Sequence, residues 1–240
     1  MLEFLNIKLM KLIIKNVTNV GGVWIRKKYE SDFYIIEYDE KDKKYIDLFV
    51  STLNKSYQDI MNFFNLDNLE KKITIKLWNN VTDFRNHTKN KLNIDEEEWV
   101  IARAYFTDKE IHILTLEEIK KCKGHSKDNI ENMLKCLTQE FVHICHSIYS
   151  KKTLRWYGES LAVILSNQYN NYKLYINCTL DELLNGYVDY INYYTIGKYL
   201  FDTYDRKYIL KLLKDKNLLE EQTPRIYEET KLYIKNIKSR

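Results

Sequence analysis

The spacing of hydrophobic and polar positions changes part-way along the chain. Phe33-Tyr34-Ile35-Ile36-Glu37-Tyr38 is aromatic and β-branched, as a strand should be, and Ile73-Thr74-Ile75-Lys76-Leu77-Trp78 alternates as one. Between them, Lys41 to Asn65 carries Ile46, Phe49, Val50, Leu53, Tyr57, Ile60, Met61 and Phe64 at helical spacing. Val100 to Leu116 reads as two short strands that turn near Asp108-Lys109. From Asp128 the pattern is helical almost to the end. Mixed strands first and helices second predict an α+β fold. Its strand-rich N-terminal lobe should span about residues 30–127 and its helical lobe about 128–240. No repeat and no polar linker divides the 240 residues, so a single domain is expected.

The helix after Asp128 is the informative one. Asp128 with Glu131 three residues later resembles a capping box. Ile130, Met133, Leu134, Leu137, Phe141, Ile144, Cys145 and Ile148 follow, and at about 100° per residue they share one broad face that a core should cover. The opposite face should carry Lys and Glu. It carries Gln139 and His143, four apart and stacked, with His146 close beside them and Glu140 flanking.

Composition narrows what that face can do. Hydrophobic residues at 45% and charged residues at 30% support a packed core and argue against global disorder. The longest apolar runs, such as Leu161 to Leu165, reach about five residues against the roughly 20 of a membrane span. Net charge is only +4, and the pairs Lys27-Lys28, Lys43-Lys44, Lys71-Lys72, Lys120-Lys121 and Lys151-Lys152 are scattered. A solvated surface is expected rather than one for nucleic acid. Cys122, Cys136, Cys145 and Cys178 form no C-x-x-C pair, and reduced, structural thiols are expected. The segment MLEFLNIKLMKLIIKNV is amphipathic and broken by Lys8, Lys11 and Lys15, unlike a signal peptide, so a cytoplasmic location is expected. Of five histidines, His87, His112 and His125 precede this helix, and none follows His146.

The stretch Thr138 to His146, T-Q-E-F-V-H-I-C-H, resembles the H-E-x-x-H helix of zinc metallopeptidases with one letter changed. That motif places two imidazoles on one metal at i and i+4, and its Glu takes a proton from the metal-bound water. Sixteen residues after His143 comes Glu159, within R-W-Y-G-E-S-L-A-V-I-L-S-N-Q. This segment resembles the second helix of gluzincins, W-x-x-E-G-x-A-like, with Trp156 and Ala162 matching and Ser160 departing from Gly. The order of pieces from about Asp32 to Lys214 is similar to that of small Peptidase-MA-like gluzincins. It includes an Ala102-Arg103-Ala104-Tyr105 edge strand and the downstream helices of Y-Y-T-I-G-K-Y-L-F-D-T-Y and I-L-K-L-L-K.

The resemblance implies a zincin-like fold with its cleft between the lobes and zinc as cofactor. It implies Gln139, His143 and Glu159 at the metal and Glu140 as general base. It also implies a peptide or protein as substrate or ligand, paired with the edge strand. With no histidine after His146, a tyrosine is expected to hold the oxyanion. Tyr190, with Tyr194 four residues on, lies in the stretch where the family carries one.

Gln139 leaves three outcomes open. Its amide ligates weakly, or His146 replaces it beside His143 and Glu159, or no metal binds and the cleft serves as a binding surface. The functional expectation is a gluzincin-like metallopeptidase with an atypical or impaired metal site. The alternative is a catalytically inactive zincin-fold protein that binds a peptide or protein.

Overall fold

In the computed structural model, which describes residues 26–170, 172–186 and 188–238, the strand-like segments join one sheet. The amphipathic N-terminal segment lies outside the described residues. Lys27–Glu30 (β1), Tyr34–Tyr38 (β2), Ile73–Trp78 (β3), Ala102–Tyr105 (β4) and Glu110–Leu114 (β5) are ordered β1-β2-β3-β5-β4. β2, β3 and β5 are parallel, while β1 and β4 run antiparallel at the two edges. Register places Ile36 beside Ile75 and Ile75 beside Ile111, so a fully buried isoleucine row crosses the three central strands.

Parallel neighbours need crossovers, and the chain supplies them as helices. A 3-10 turn, Glu40–Tyr45, leads into α1 (Ile46–Phe63), which joins β2 to β3. The Tyr34 hydroxyl donates to Asn54 Oδ1 at 2.9 Å and ties α1 to the sheet. α2 (Val81–Leu92) follows β3, with Asn80 capping it by accepting from the Asp83 N–H at 3.0 Å. Periodicity does not announce α2, because only Phe84 and Thr88 are buried along it. β1 escapes for a related reason: all four of its residues are half-buried and none is strongly apolar.

The rest is helical: α3 (Leu116–Ile119), α4 (Ile130–Tyr149), α5 (Arg155–Leu165), α6 (Leu180–Asn185), α7 (Tyr190–Thr203), α8 (Arg206–Lys214) and α9 (Lys216–Lys238). The molecule is therefore α+β, a mixed sheet followed by a mostly helical part. Two local expectations are corrected. α4 is capped by Asn129, whose side chain accepts from the Asn132 N–H at 3.0 Å while Asn132 Oδ1 accepts from the Asn129 N–H at 3.2 Å. Asp128 is instead engaged by His125 Nδ1 at 2.7 Å, and Glu131 pairs with Lys135 at 2.7 Å. The helical pattern also lapses after α5, where Asn167 and Tyr169 take left-handed backbone conformations.

One hydrophobic cluster runs from Tyr34 on β2 through α1, α4, α5 and α7 to Tyr227 on α9, so sheet and helices share a core. Among the described residues no helix is long and apolar enough to cross a membrane. All four cysteines are unpaired.

Candidate functional site

α4 is anchored on its apolar side. Phe141 stacks on Tyr57 of α1 with ring centroids 5.1 Å apart, and Cys145 Sγ lies 3.8 Å from Met61 Sδ. That anchoring turns Gln139, Glu140 and His143 towards β4 and α5.

Glu159 meets them there. Its Oε2 lies 3.4 Å from His143 Nε2 and also accepts from Gln139 Nε2 at 3.4 Å. The His143 and Glu159 side chains are only 14% and 15% exposed, so the pair is largely shielded from water. Glu159 stands within α5, one turn past its start, and Gly158 beside it is helical. Gly158 is needed where it is, since a Cβ there would stand 2.9 Å from His146 Cε1.

Charges in this place lean on one another. Burial alone would strip His143 of its proton, but the Glu159 carboxylate, seconded by Glu140, outweighs it and raises its pKa to about 9. Burial likewise works to raise Glu159, yet His143, then Arg155 and the nearby Tyr190 hydroxyl, hold it below the usual carboxylate range. Glu140 ends above that range, chiefly through burial, although His143 and Arg103 oppose this and the Ala104 backbone N–H donates to it. His146 is pushed down to about 4 by burial and by His143, and its buried Nε2 has no partner among the described residues. Cys136, one turn before Glu140, is kept a thiol by burial and the nearby carboxylates.

The five residues singled out from the sequence thus come together. Tyr190, half-buried at the start of α7, reaches Glu159 and packs its ring edge against Trp99 at 6.4 Å between centroids. Tyr194 does not join them. It is buried among Val163 and Ile191, beside Tyr169. His146 sits behind Gly158, which leaves it a packing partner of α5.

Sequence reasoning missed a second layer. Arg103 on the edge strand binds Glu96 through both ends of its guanidinium, Nη2 to Oε2 at 2.6 Å, and the Glu96 side chain is only 1% exposed. This pins the 93–101 loop beside Glu140. His125 Nε2, 2.9 Å from the Trp99 carbonyl, and Arg85 Nη2, which donates to the Glu98 carbonyl at 2.9 Å, pin it further. The acidic run Asp95-Glu96-Glu97-Glu98 was visible in the sequence, but nothing there singles out the member that turns inward.

The donor set can be tested against zinc by type and spacing. Bonds of about 2.0–2.2 Å around a tetrahedral ion leave its ligand atoms about 3.4 Å apart. Both contacts to Glu159 Oε2 have that separation. His143 and Glu159 also fit by chemistry. Gln139 fits by place only, because a half-turn of its amide offers a neutral, weakly basic oxygen. Among the described residues no group of three or more His, Cys, Asp or Glu side chains is arranged to hold a metal ion, so a third strong donor is missing. No family model matches the chain, and neither a curated protein nor a solved structure matches it.

Proposed function

We propose that the chain is a gluzincin-like metallopeptidase of zincin-like fold whose zinc site is weakened by Gln139. The convergence of Gln139 and His143 on one Glu159 oxygen, with Glu140 and Tyr190 adjoining, carries this reading. His143 and Glu159 would hold the ion and the Gln139 oxygen would complete the set. Zinc, when bound, supplies Lewis-acid polarisation of a peptide carbonyl and acidifies a water.

The remaining work falls to the chain. His143 must release its proton before it ligates, so its pairing with Glu159 competes with the ion at neutral pH. Glu140 accepts the proton of the attacking water and returns it to the departing amine, a task for which its burial-raised pKa suits it. Tyr190 places an O–H donor beside the same group for the carbonyl oxygen as it gains charge. β4 lies at the sheet edge and gives an extended peptide a strand to pair with.

Loss of a supporting partner already lowers metal affinity by about 10–100-fold, and replacement of a direct ligand lowers it at least as far. Gln139→His should therefore raise zinc affinity by at least about 10-fold and bring cleavage of an unfolded protein substrate. Zinc that does not bind tighter to this variant, in calorimetric titration, would overturn the reading.

A second reading is favoured by the amide at 139 and the proton on His143: the same place binds a peptide without cutting it. Under it, Gln139→His gains zinc but no proteolysis.

A further inference from the structure

The lysines that are scattered in sequence are gathered in space. α4 ends at Tyr149 and the chain leaves it through Ser150, Lys151 and Lys152. α8 lies alongside and presents Lys207, Lys211 and Lys214 at i, i+4 and i+7, one face of its helix. Lys216 opens α9 across the same hollow. Together they line a groove of about 870 Å³. A smaller hollow of about 400 Å³ continues from it past Tyr149 and Lys207.

The charge in this groove is uncompensated. Asp215 is its only acidic lining residue, and its carboxylate is committed to the Leu218 N–H at 3.0 Å, where it caps α9. Six lysines face that single aspartate, whereas the whole chain has a net charge of only +4. Lys216 has an acidic partner, Glu220 at 3.3 Å, and Lys214 lies over the Tyr149 ring at 4.5 Å. Lys151, Lys152, Lys207 and Lys211 are exposed, and none forms an ion pair among the described residues.

The lining selects the partner. Ammonium groups on flexible stems suit the oxygens of separate phosphate groups; the larger hollow has no guanidinium fork for a planar carboxylate, and Arg206 in the smaller one donates to the Asn62 and Phe63 carbonyls. Its one aromatic ring, Tyr149, is covered by Lys214, which leaves no platform for stacking nucleic-acid bases. No apolar side chain that could enter a bilayer lines the larger hollow.

We propose that this groove binds a compact, multiply phosphorylated molecule, with Lys151, Lys152, Lys207 and Lys211 each meeting phosphate oxygens. Such chemistry occurs as a free metabolite and as a lipid head group. The full chain should be titrated calorimetrically with inositol hexakisphosphate at about 50 mM and about 500 mM NaCl. It should also be sedimented with phosphatidylcholine vesicles containing about 5% phosphatidylinositol bisphosphate. Saturable one-to-one binding that weakens with salt is expected. Lys207→Glu with Lys211→Glu should weaken it by at least about 30-fold, while Lys55→Glu with Lys173→Glu, exposed lysines elsewhere, should leave it within about twofold.

Lys151→Gln with Lys152→Gln gives a milder second test, and unchanged thermal melting confirms that each variant is folded. Binding to the soluble probe alone assigns a free metabolite, and binding to both assigns a head group. Absence of saturable binding, equal loss in the Lys55 and Lys173 control, or tighter binding of an RNA of about 20 nucleotides would overturn the proposal.

Discussion

Gly197 of α7 lies directly against the backbone carbonyl of Ser160 on α5: a Cβ at 197 would stand 2.8 Å from that oxygen and 2.6 Å from Ile164 Cγ1. The two helices approach to backbone contact there, and the same crossing brings Tyr190, at the start of α7, to Glu159, the neighbour of Ser160.

Gly197→Ala should therefore destabilise the protein by roughly 1–3 kcal/mol, because the methyl meets the Ser160 carbonyl, which is backbone, as well as the Ile164 side chain. Thermal unfolding should shift down by roughly 2–4 °C per kcal/mol. An unchanged melting temperature would mean that the crossing yields freely and does not set the position of Tyr190.

Tyr190→Phe should remove the hydroxyl that supports the Glu159 carboxylate. The hydroxyl is one of several groups that support this carboxylate, so a loss of about 0.5–1.5 kcal/mol in denaturant unfolding is expected. In a Gln139→His background that cleaves peptide, the same change should lower kcat by at least about 100-fold with KM little altered. A rise in KM with kcat intact would make Tyr190 a substrate-binding residue instead.

How much of this was legible beforehand depends on how far each feature reaches along the chain. β2, β3, α1 and α4 each bury one face, and their periods stand out. α2 turns only Phe84 and Thr88 inward and leaves no period to read. Gln139, Glu140 and His143 were legible because their relation is local to one helix turn, and Glu159 because its segment has a distinctive composition. Tyr190 and Tyr194 were indistinguishable as a pair at i,i+4, since that spacing shares a face but not a depth: one reaches Glu159 and the other is sealed beside Val163. The Arg103–Glu96 pair and the lysine groove depend on which loops and helices become neighbours, which no local pattern encodes.

The buried ring cluster on the sheet gives a pH prediction away from the site. His112 of β5 is fully buried, 4.7 Å from His87 and 4.5 Å from Tyr105 between ring centroids. Burial, then Lys76 and His87, push its pKa down to about 4, although Glu110 at 3.1 Å pulls the other way. The unfolded chain takes up this proton near pH 6.5 and the folded chain only near 4. The contribution is thus complete above about pH 6.5 and disappears as pH falls towards about 4, a change of roughly 3 kcal/mol. His112→Gln should flatten that part of the stability–pH curve in urea unfolding between pH 4 and 7. An equal slope in both proteins would show that His112 is not held neutral.

Arg103 and Glu96 allow the sharpest separation of charge from packing. The Glu96 side chain is almost wholly buried and that of Arg103 less than a third exposed, so each leaves the other stranded when removed. Arg103→Ala should cost about 3–5 kcal/mol, since a carboxylate then remains in the interior without its bidentate partner. Arg103→Met with Glu96→Leu removes both charges while keeping volume, and should be within about 1 kcal/mol of the parent. A double-mutant cycle completed by the Arg103→Met and Glu96→Leu single variants measures the coupling by chemical denaturation. The loop that this pair pins runs beside Glu140, and Arg103 itself opposes the burial that raises Glu140. In the double variant the loop should stay in place while Glu140 rises further, which carboxyl-selective NMR titration would read as a later protonation midpoint. Coupling below about 1 kcal/mol would mean that the pair is an ordinary surface contact and that the loop is held by its other contacts, among them those of His125, Arg85 and Lys89.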